Sequence, residues 1–424
     1  MSSFQISFMA AGWVLLFAAC PGEKGDTDAT STDDSSDSAP TDPASSTSPT
    51  SSGGPAPTEP GTSTGPAATE SVTAASDSTE SSTTKDSTTD VPVDCAEVEF
   101  PDPALEFRVR ELLQQPDGPL LGADVAGLKE FTGGAMTIVD LTGLECATGL
   151  RMLELVWHEV GDLGPLAGLA TLERVELLGN KVTDLGPLAG LTGLRDLGLH
   201  ATNVVDLGPL AGLAALEILN VSGTDVADLG PLAGLGALDI LDISDTAVAT
   251  LAPLAGLTGL RKLIAPGCDY LDVEPLAGLT GLDQLDISGT AVADLGPLAG
   301  MKALERLSIH HTDVDDLEPL TGLPIHSFHA ESALISDLTP VASFPTPTIM
   351  LLSDNQIVEA DPLVGSGWDA TDNPDECLEV HMTGNPLSAD SLAAALPAFC
   401  TATGAWVFAD GLLECPGGQQ CVLP

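Results

Sequence analysis

From residue 163 the chain repeats itself every 22 residues, and that period decides what it can fold into. Residues 163–184 read LGPLAGLATLERVELLGNKVTD, 185–206 LGPLAGLTGLRDLGLHATNVVD and 207–228 LGPLAGLAALEILNVSGTDVAD. The frame holds to 316 after a diverged copy at 141–162. A 21-residue copy spans 317–337, and an irregular stretch, 338–363, keeps LLSDNQI. A unit this short cannot bury an apolar face alone, so successive units must stack and share one core. Within each unit L-x-L alternates with a period of two, the mark of a short strand with both leucines turned inward. About ten stacked copies form a parallel sheet, strands about 4.8 Å apart, in a rod or arc on the order of 50 Å long. The GPLAGL segment supplies the return: proline presets φ for a 3₁₀ turn, and Gly and Ala permit close layers.

Each unit carries L-x-x-L-x-L-x-x-(N/T/C)-x-V, as at Leu194, Leu197, Leu199, Thr202 and Val204. This pattern resembles leucine-rich repeats, and the P-L-A-x-L-T-x-L run resembles the internalin-like bacterial type, over about residues 97–410. The resemblance implies an α/β repeat solenoid with a parallel β-sheet on the concave face and short 3₁₀ turns on the convex face. The residue after each strand is expected to form a ladder, its side chain bonding loop backbone of the next coil. Asn180 and Asn355 suit that role best; most copies offer Thr instead, at Thr202, Thr224, Thr246, Thr290 and Thr312. Cys268 occupies the same position and reads as a buried free thiol.

The flanks differ sharply in composition. Residues 4–19, FQISFMAAGWVLLFAA, form an apolar run too short for a comfortable membrane span, so residues 1–19 read as a signal peptide. Leu16, Phe17, Ala18 and Ala19 before Cys20 resemble a bacterial lipobox, although Phe17 stands where Leu is usual. The resemblance implies lipidation of Cys20 and an outer-membrane or cell-surface address. A cleaved signal peptide without lipid, or an uncleaved anchor, are the alternatives. Residues 20–94, rich in Ser, Thr, Pro and Asp, cannot bury enough apolar area to offset ordering entropy and read as a disordered tether. Its reach is on the order of 50 Å.

Residues 95–140 are expected to cap the solenoid at its N-terminal end. Asp102-Pro103 starts a helix with Leu105, Val109, Leu112 and Leu113 on its apolar face. Residues 141–363 are the repeats, and 364–424 a C-terminal cap with a cysteine-stapled tail. There Cys377 opens a last strand, LEVHMTGNPL, and a helix over about 388–396 ends at Cys400. Proximity pairs Cys95 with Cys146, Cys377 with Cys400 and Cys415 with Cys421, three bonds out of fifteen possible pairings.

Net charge is −49, from 13 Lys+Arg against 62 Asp+Glu. That excludes nucleic acid as a default partner and argues against anionic membrane surfaces, leaving the N-terminal lipid as the membrane contact. No G-x-S-x-G, H-E-x-x-H or phosphate loop is present. His310, His311, His326 and His329 with Glu331 would be the material for a metal site, but without the short spacing of a strong one. No cofactor and no enzymatic activity are therefore expected; a metal-dependent enzyme is the remote alternative.

The concave face is the better candidate. Outward positions form two rows, one through Met152, Arg174, Asp196, Ile218, Ile240 and Lys262, the other through Glu154, Glu176, Gly198, Asn220, Asp242 and Ile264. Ile218, Ile240 and Ile264 are read as neighbours in an exposed apolar patch, with Asn220, Asp242 and His310 around it. Trp157 and Leu178 add a second patch. The alternative is that β-branched residues simply suit strands. A third row, Arg151, Glu173, Arg195 and Glu217, alternates in sign and reads as structural. The expected function is a lipid-anchored, monomeric surface module that binds a protein on its concave face. The alternative is a passive structural or shielding component of the envelope.

Overall fold

A computed structural model describes residues 95–270, 272–368 and 378–410. The expectations for the signal peptide, Cys20, the tether, Cys377, Cys415 and Cys421 lie outside those residues.

The N-terminal end is closed by β1 (Glu97–Val98), α1 (Pro103–Leu113), β2 (Leu120–Leu121) and α2 (Gly122–Val125). β1 and β2 pair antiparallel. Asp102 approaches α1 in extended conformation, and its Oδ1 accepts from the amides of Ala104 and Leu105 at 2.8 and 3.1 Å. Two of the N–H groups that a helix start leaves open are thereby satisfied, and Pro103 has none to satisfy. Leu105 and Val109 are fully buried. A disulfide joins Cys95 to Cys146 with Cα atoms 5.6 Å apart and ties this cap to the coil that follows.

The strands then follow in order: β3 (Glu130–Thr132), β4 (Met152–Glu154), β5 (Arg174–Glu176), β6 (Asp196–Gly198), β7 (Ile218–Asn220), β8 (Ile240–Asp242) and β9 (Lys262–Ile264). They continue with β10 (Gln284–Asp286), β11 (Arg306–Ser308), β12 (Ser327–His329), β13 (Ile349–Leu351), β14 (Glu379–His381) and β15 (Trp406–Phe408). Among the described residues these thirteen strands form one parallel sheet, each beside its sequence neighbour. The register sets equivalent residues opposite one another: Leu219 faces Leu241, and Leu241 faces Leu263. Every strand is three residues long, with its middle side chain inward. Such strands would not persist alone; the stacked leucines, each contributing roughly 2 kcal/mol of apolar burial, hold them together.

On the far side a 3₁₀ turn returns the chain, as at Gly164–Leu166 and Gly186–Leu188, with proline second. Asp162, Asp184, Asp206, Asp228 and Asp294 each accept the amide of the glycine that opens the turn, at 2.7–2.8 Å. These carboxylates shape the return by closing a local ring that competes with continued strand.

The ends depart from the sequence expectation. The sheet already starts at Glu130, inside the segment read as cap, because Phe131 fills an inward leucine position and Glu130 pairs with Met152. The segment LEVHMTGNPL is not the last strand, since β15 pairs beyond it. Between β13 and β14, α3 (Asp361–Val364) replaces the 3₁₀ return, and between β14 and β15 a π-type turn over Ser391–Ala395 leads into α4 (Leu396–Thr403). That helix runs past Cys400 and stops at Gly404, whose φ of 71° a glycine adopts without strain. Cys400 is disulfide-bonded; the expected partner, Cys377, lies outside the described residues. Trp368 donates its indole N–H to Phe344 O at 2.9 Å and meets Phe399 edge-on at 5.8 Å, closing this end of the core.

The ladder also runs in the opposite sense to that expected. Asn180 Nδ2 donates to Leu155 O and Leu177 O, and its Oδ1 accepts from Val160 N at 3.0 Å. Leu155 and Val160 belong to the preceding coil. The backbone of the same turn is already committed forward, Leu177 N to Gly198 O and Gly179 N to His200 O, so the side chain serves the coil behind. Asn355 and Asn385 make the same three bonds. The threonines behave differently: Thr202, Thr224, Thr246, Thr290 and Thr312 each donate to a carbonyl three residues back in their own turn. Cys268 is a buried free thiol 3.1 Å from Ile243 O, and burial pushes its pKa up.

Candidate binding face of the sheet

The pleat turns the first and third residues of every strand outward, so each coil contributes two side chains to the open face. Register places Ile218 directly beside Ile240. Ile264 is not in their row: it lies in the other, between Asp242 and Asp286. The three isoleucines therefore do not form one patch. Two are direct neighbours, and the third is diagonal to Ile240 and flanked by carboxylates.

Asn220 and Asp242 are adjacent in that second row, and each spends an oxygen on its own turn. Asn220 Oδ1 accepts from Ser222 N and Ser222 Oγ at 2.9 and 2.6 Å; Asp242 Oδ1 accepts the corresponding pair from Ser244. Burial raises the Asp242 pKa, with the bonds from Ser244 opposing. Burial likewise raises Glu176 and Asp196, although Arg174, whose Nη1 stands 3.3 Å from Asp196 Oδ2, pulls both back. The N-terminal half of the face thus carries partly desolvated carboxylates in both rows, Glu176 and Asp242 in one and Asp196 in the other, with Arg174 Nε itself buried and without a hydrogen-bond partner.

Trp157 stands at the rim with 68 % of its surface exposed. Its φ is +58°, in the residue position where Gly179, Gly223, Gly267, Gly289 and Gly384, and also Ala201, Asp245, His311, Ser332 and Asp354, take positive φ. For a bulky residue that conformation costs about 1–2 kcal/mol. The indole lies over Gly179, where an added Cβ would meet Trp157 Cε3 at 2.3 Å, so the neighbour's missing side chain makes room for the ring. Trp157 N donates to Leu178 O at 2.8 Å, which sets Leu178, half-buried, beside it.

His310 sits at the same turn level two strands beyond β9, close to Ser308 Oγ at 3.4 Å and edge-on to His311 at 5.6 Å. Burial lowers the pKa of His310 and of His329, while Asp286 and Glu331 act in the opposite sense. Among the described residues no three His, Cys, Asp or Glu side chains converge as a metal site would require. The charged row beside the face does pair across coils, Arg151 with Glu173, Arg195 with Glu217 and Arg261 with Asp283.

Two features escaped the sequence reading. The last strand presents Trp406 and Phe408 outward, beside Ile349 and Leu351 of β13 across β14, and Phe408 stacks on His381 at 4.3 Å. The alternation Trp406-Val407-Phe408 was the available signal. His158, buried one repeat before Asn180, occupies the ladder position; counting back 22 residues would have found it.

No protein-family model matches the chain, and no curated protein matches it. Solved structures do. An internalin (inlF) from Listeria monocytogenes superposes with a TM-score of 0.61 at 24 % identity, covering 74 % of this chain and 96 % of that one. A leucine-rich-repeat protein of Leptospira interrogans gives 0.55 at 14 % identity, covering 70 % and 86 %. The plant peptide hormone receptor RGFR1, in complex with RGF2, gives 0.53 at 14 % identity, covering 68 % and 48 %. Among the described residues no helix is long and apolar enough to cross a membrane. Uniform parallel register, 3₁₀ returns, the asparagine ladder and these superpositions together make the described chain a leucine-rich-repeat solenoid.

Proposed function

We propose that the chain is a surface-exposed, lipid-anchored module that recognises a protein on the concave sheet face, with Cys20 carrying the lipid and residues 20–94 acting as tether. The observation that carries this reading is Trp157, an exposed indole held at positive φ beside Leu178 on the rim of the face. Of the other coils, five place glycine there and five place Ala201, Asp245, His311, Ser332 or Asp354; none puts an indole there. The adjacent pair Ile218 and Ile240 supplies apolar area on the same face, and Asn220, Asp242, Ile264 and His310 supply its polar and apolar surround. The internalin and the receptor share this fold, and the receptor's structure holds RGF2, which supports a ligand on a solenoid of this kind. The module acts as a monomer and needs no cofactor.

The test is capture from envelope and culture extracts with the full chain as bait, beside a Trp157→Gly, Ile218→Glu, Ile240→Glu variant whose circular dichroism matches. A protein retained by the first and lost by the second supports recognition on this face. Equal retention, or none, sinks it and leaves a passive envelope component. Separately, Cys20→Ser should move the protein from the detergent phase to the aqueous phase.

A further inference from the structure

At the junction of cap and solenoid, three consecutive backbone amides are held by two side chains from different elements. Asp102, at the start of α1, accepts the amides of Val139 and Asp140 on Oδ2 at 2.7 and 3.1 Å while its Oδ1 caps the helix. The amide just before them, Ile138 N, donates to Nδ1 of His158 at 3.2 Å. His158 comes from the next coil. Where Asn180, Asn355 and Asn385 offer an amide oxygen to Val160, Ile335 and Ile357, His158 offers a ring nitrogen to Ile138. It is 7 % exposed, and its ring lies so close to Gly133 that a Cβ there would stand 2.0 Å from Nε2.

An amide oxygen accepts at any pH. An imidazole nitrogen accepts only while it carries no proton. We propose that His158 is an acid-sensitive clasp: neutral, it fastens the 138–140 segment between cap and solenoid; protonated by solvent, it turns Nδ1 into a donor facing the Ile138 N–H and lets that segment go. Asp102 is the carboxylate facing it from α1. Arg108, also on α1, is engaged with Thr132 O at 2.7 Å and Thr132 Oγ1 at 2.8 Å. Asp140 flanks the held segment, and Glu159 follows in the same coil.

Burial holds the His158 pKa below the ordinary 6.5, and the Asp102 charge opposes it only in part. The folded value being the lower one, the clasp's contribution is complete above the unfolded value and is lost as pH falls from there toward the folded value. His310 and His329 shift in the same sense, so a global melting curve would mix their effects with this one.

The test is therefore local. Hydrogen exchange in the full chain is read at Ile138, with amides of β7–β9 as reference, at about pH 7.5 and about pH 5. Protection corrected for intrinsic rate is expected to fall about tenfold or more at Ile138 in the wild type. In His158→Asn, which keeps the acceptor but does not titrate, it should stay level. Equal protection at both pH values in the wild type, or the same fall in His158→Asn, overturns the proposal. Should that variant not fold, nitrogen NMR of the wild-type imidazole decides. Nδ1 bare at neutral pH and protonating as Ile138 protection falls supports the clasp; Nδ1 protonated at neutral pH overturns it.

Discussion

The ends of the solenoid and its middle solve one problem with different chemistry. At Asn180, and again at Asn355 and Asn385, a carboxamide reaches the preceding coil with both a donor and an acceptor. Through the middle, Thr202, Thr224, Thr290 and Thr312 close their own turns, and Thr246 does so while also meeting Cys268 Sγ of the next coil at 3.4 Å. Cohesion there rests chiefly on backbone pairing and the leucine stack, with exposed ion pairs such as Arg261–Asp283 at the margin. The difference teaches that a carboxamide bond to the coil behind is dispensable in a coil whose leucines and backbone are already paired on both sides; in the middle the cross-coil side-chain bonds are fewer and weaker, as from Cys268 to Ile243 O.

Four substitutions would break or sharpen that contrast. The largest effect is expected from the N-terminal cap. Cys146→Ser opens a loop spanning 51 residues and should cost about 4 kcal/mol, read as loss of the first urea transition while later coils hold. A single transition shifted as a whole would show that cap and middle are one cooperative unit. Next, Asn180→Thr should lose about 2 kcal/mol, whereas Thr224→Val should lose about 1 kcal/mol or less, both by denaturant titration. Equal losses would erase the distinction between stitched and unstitched coils. The smallest change is a gain: Trp157→Gly should stabilise the fold by about 1 kcal/mol through relief of the left-handed backbone, while weakening ligand capture. A loss on both counts would make Trp157 a packing residue.

How far sequence carried the fold follows from the period. Every inward leucine of the regular coils and the 3₁₀ return were legible because each depends on spacing within one unit, while the Cys95–Cys146 bond followed from pairing cysteines by proximity at the cap. The direction of the ladder was not, since a side chain's choice between the coil behind and the coil ahead is decided by which backbone groups are already paired. β15 was hidden because an intervening helix lengthens the step between strands beyond the repeat. For the face, the two-row pattern was legible, Ile264 falling in the other row from Ile218 and Ile240, but how far that separates it from them is set by the register, which puts it diagonal to Ile240 and between two carboxylates. The carboxylates beside it were in plain view, yet their desolvation depends on neighbouring coils and has no mark in a linear string.

The uniform register has a consequence for how such a surface can change. Each coil spends two of its 22 residues on the open face, while most of the remainder is dictated by stacking. Because adjacent coils meet through nearly the same backbone pairing, a whole coil duplicated, deleted or exchanged within the regular span would leave every interior contact type in place. The pattern on the face can therefore be rewritten by recombination in units of one coil, lengthening or reordering its columns, while the interior vocabulary stays fixed.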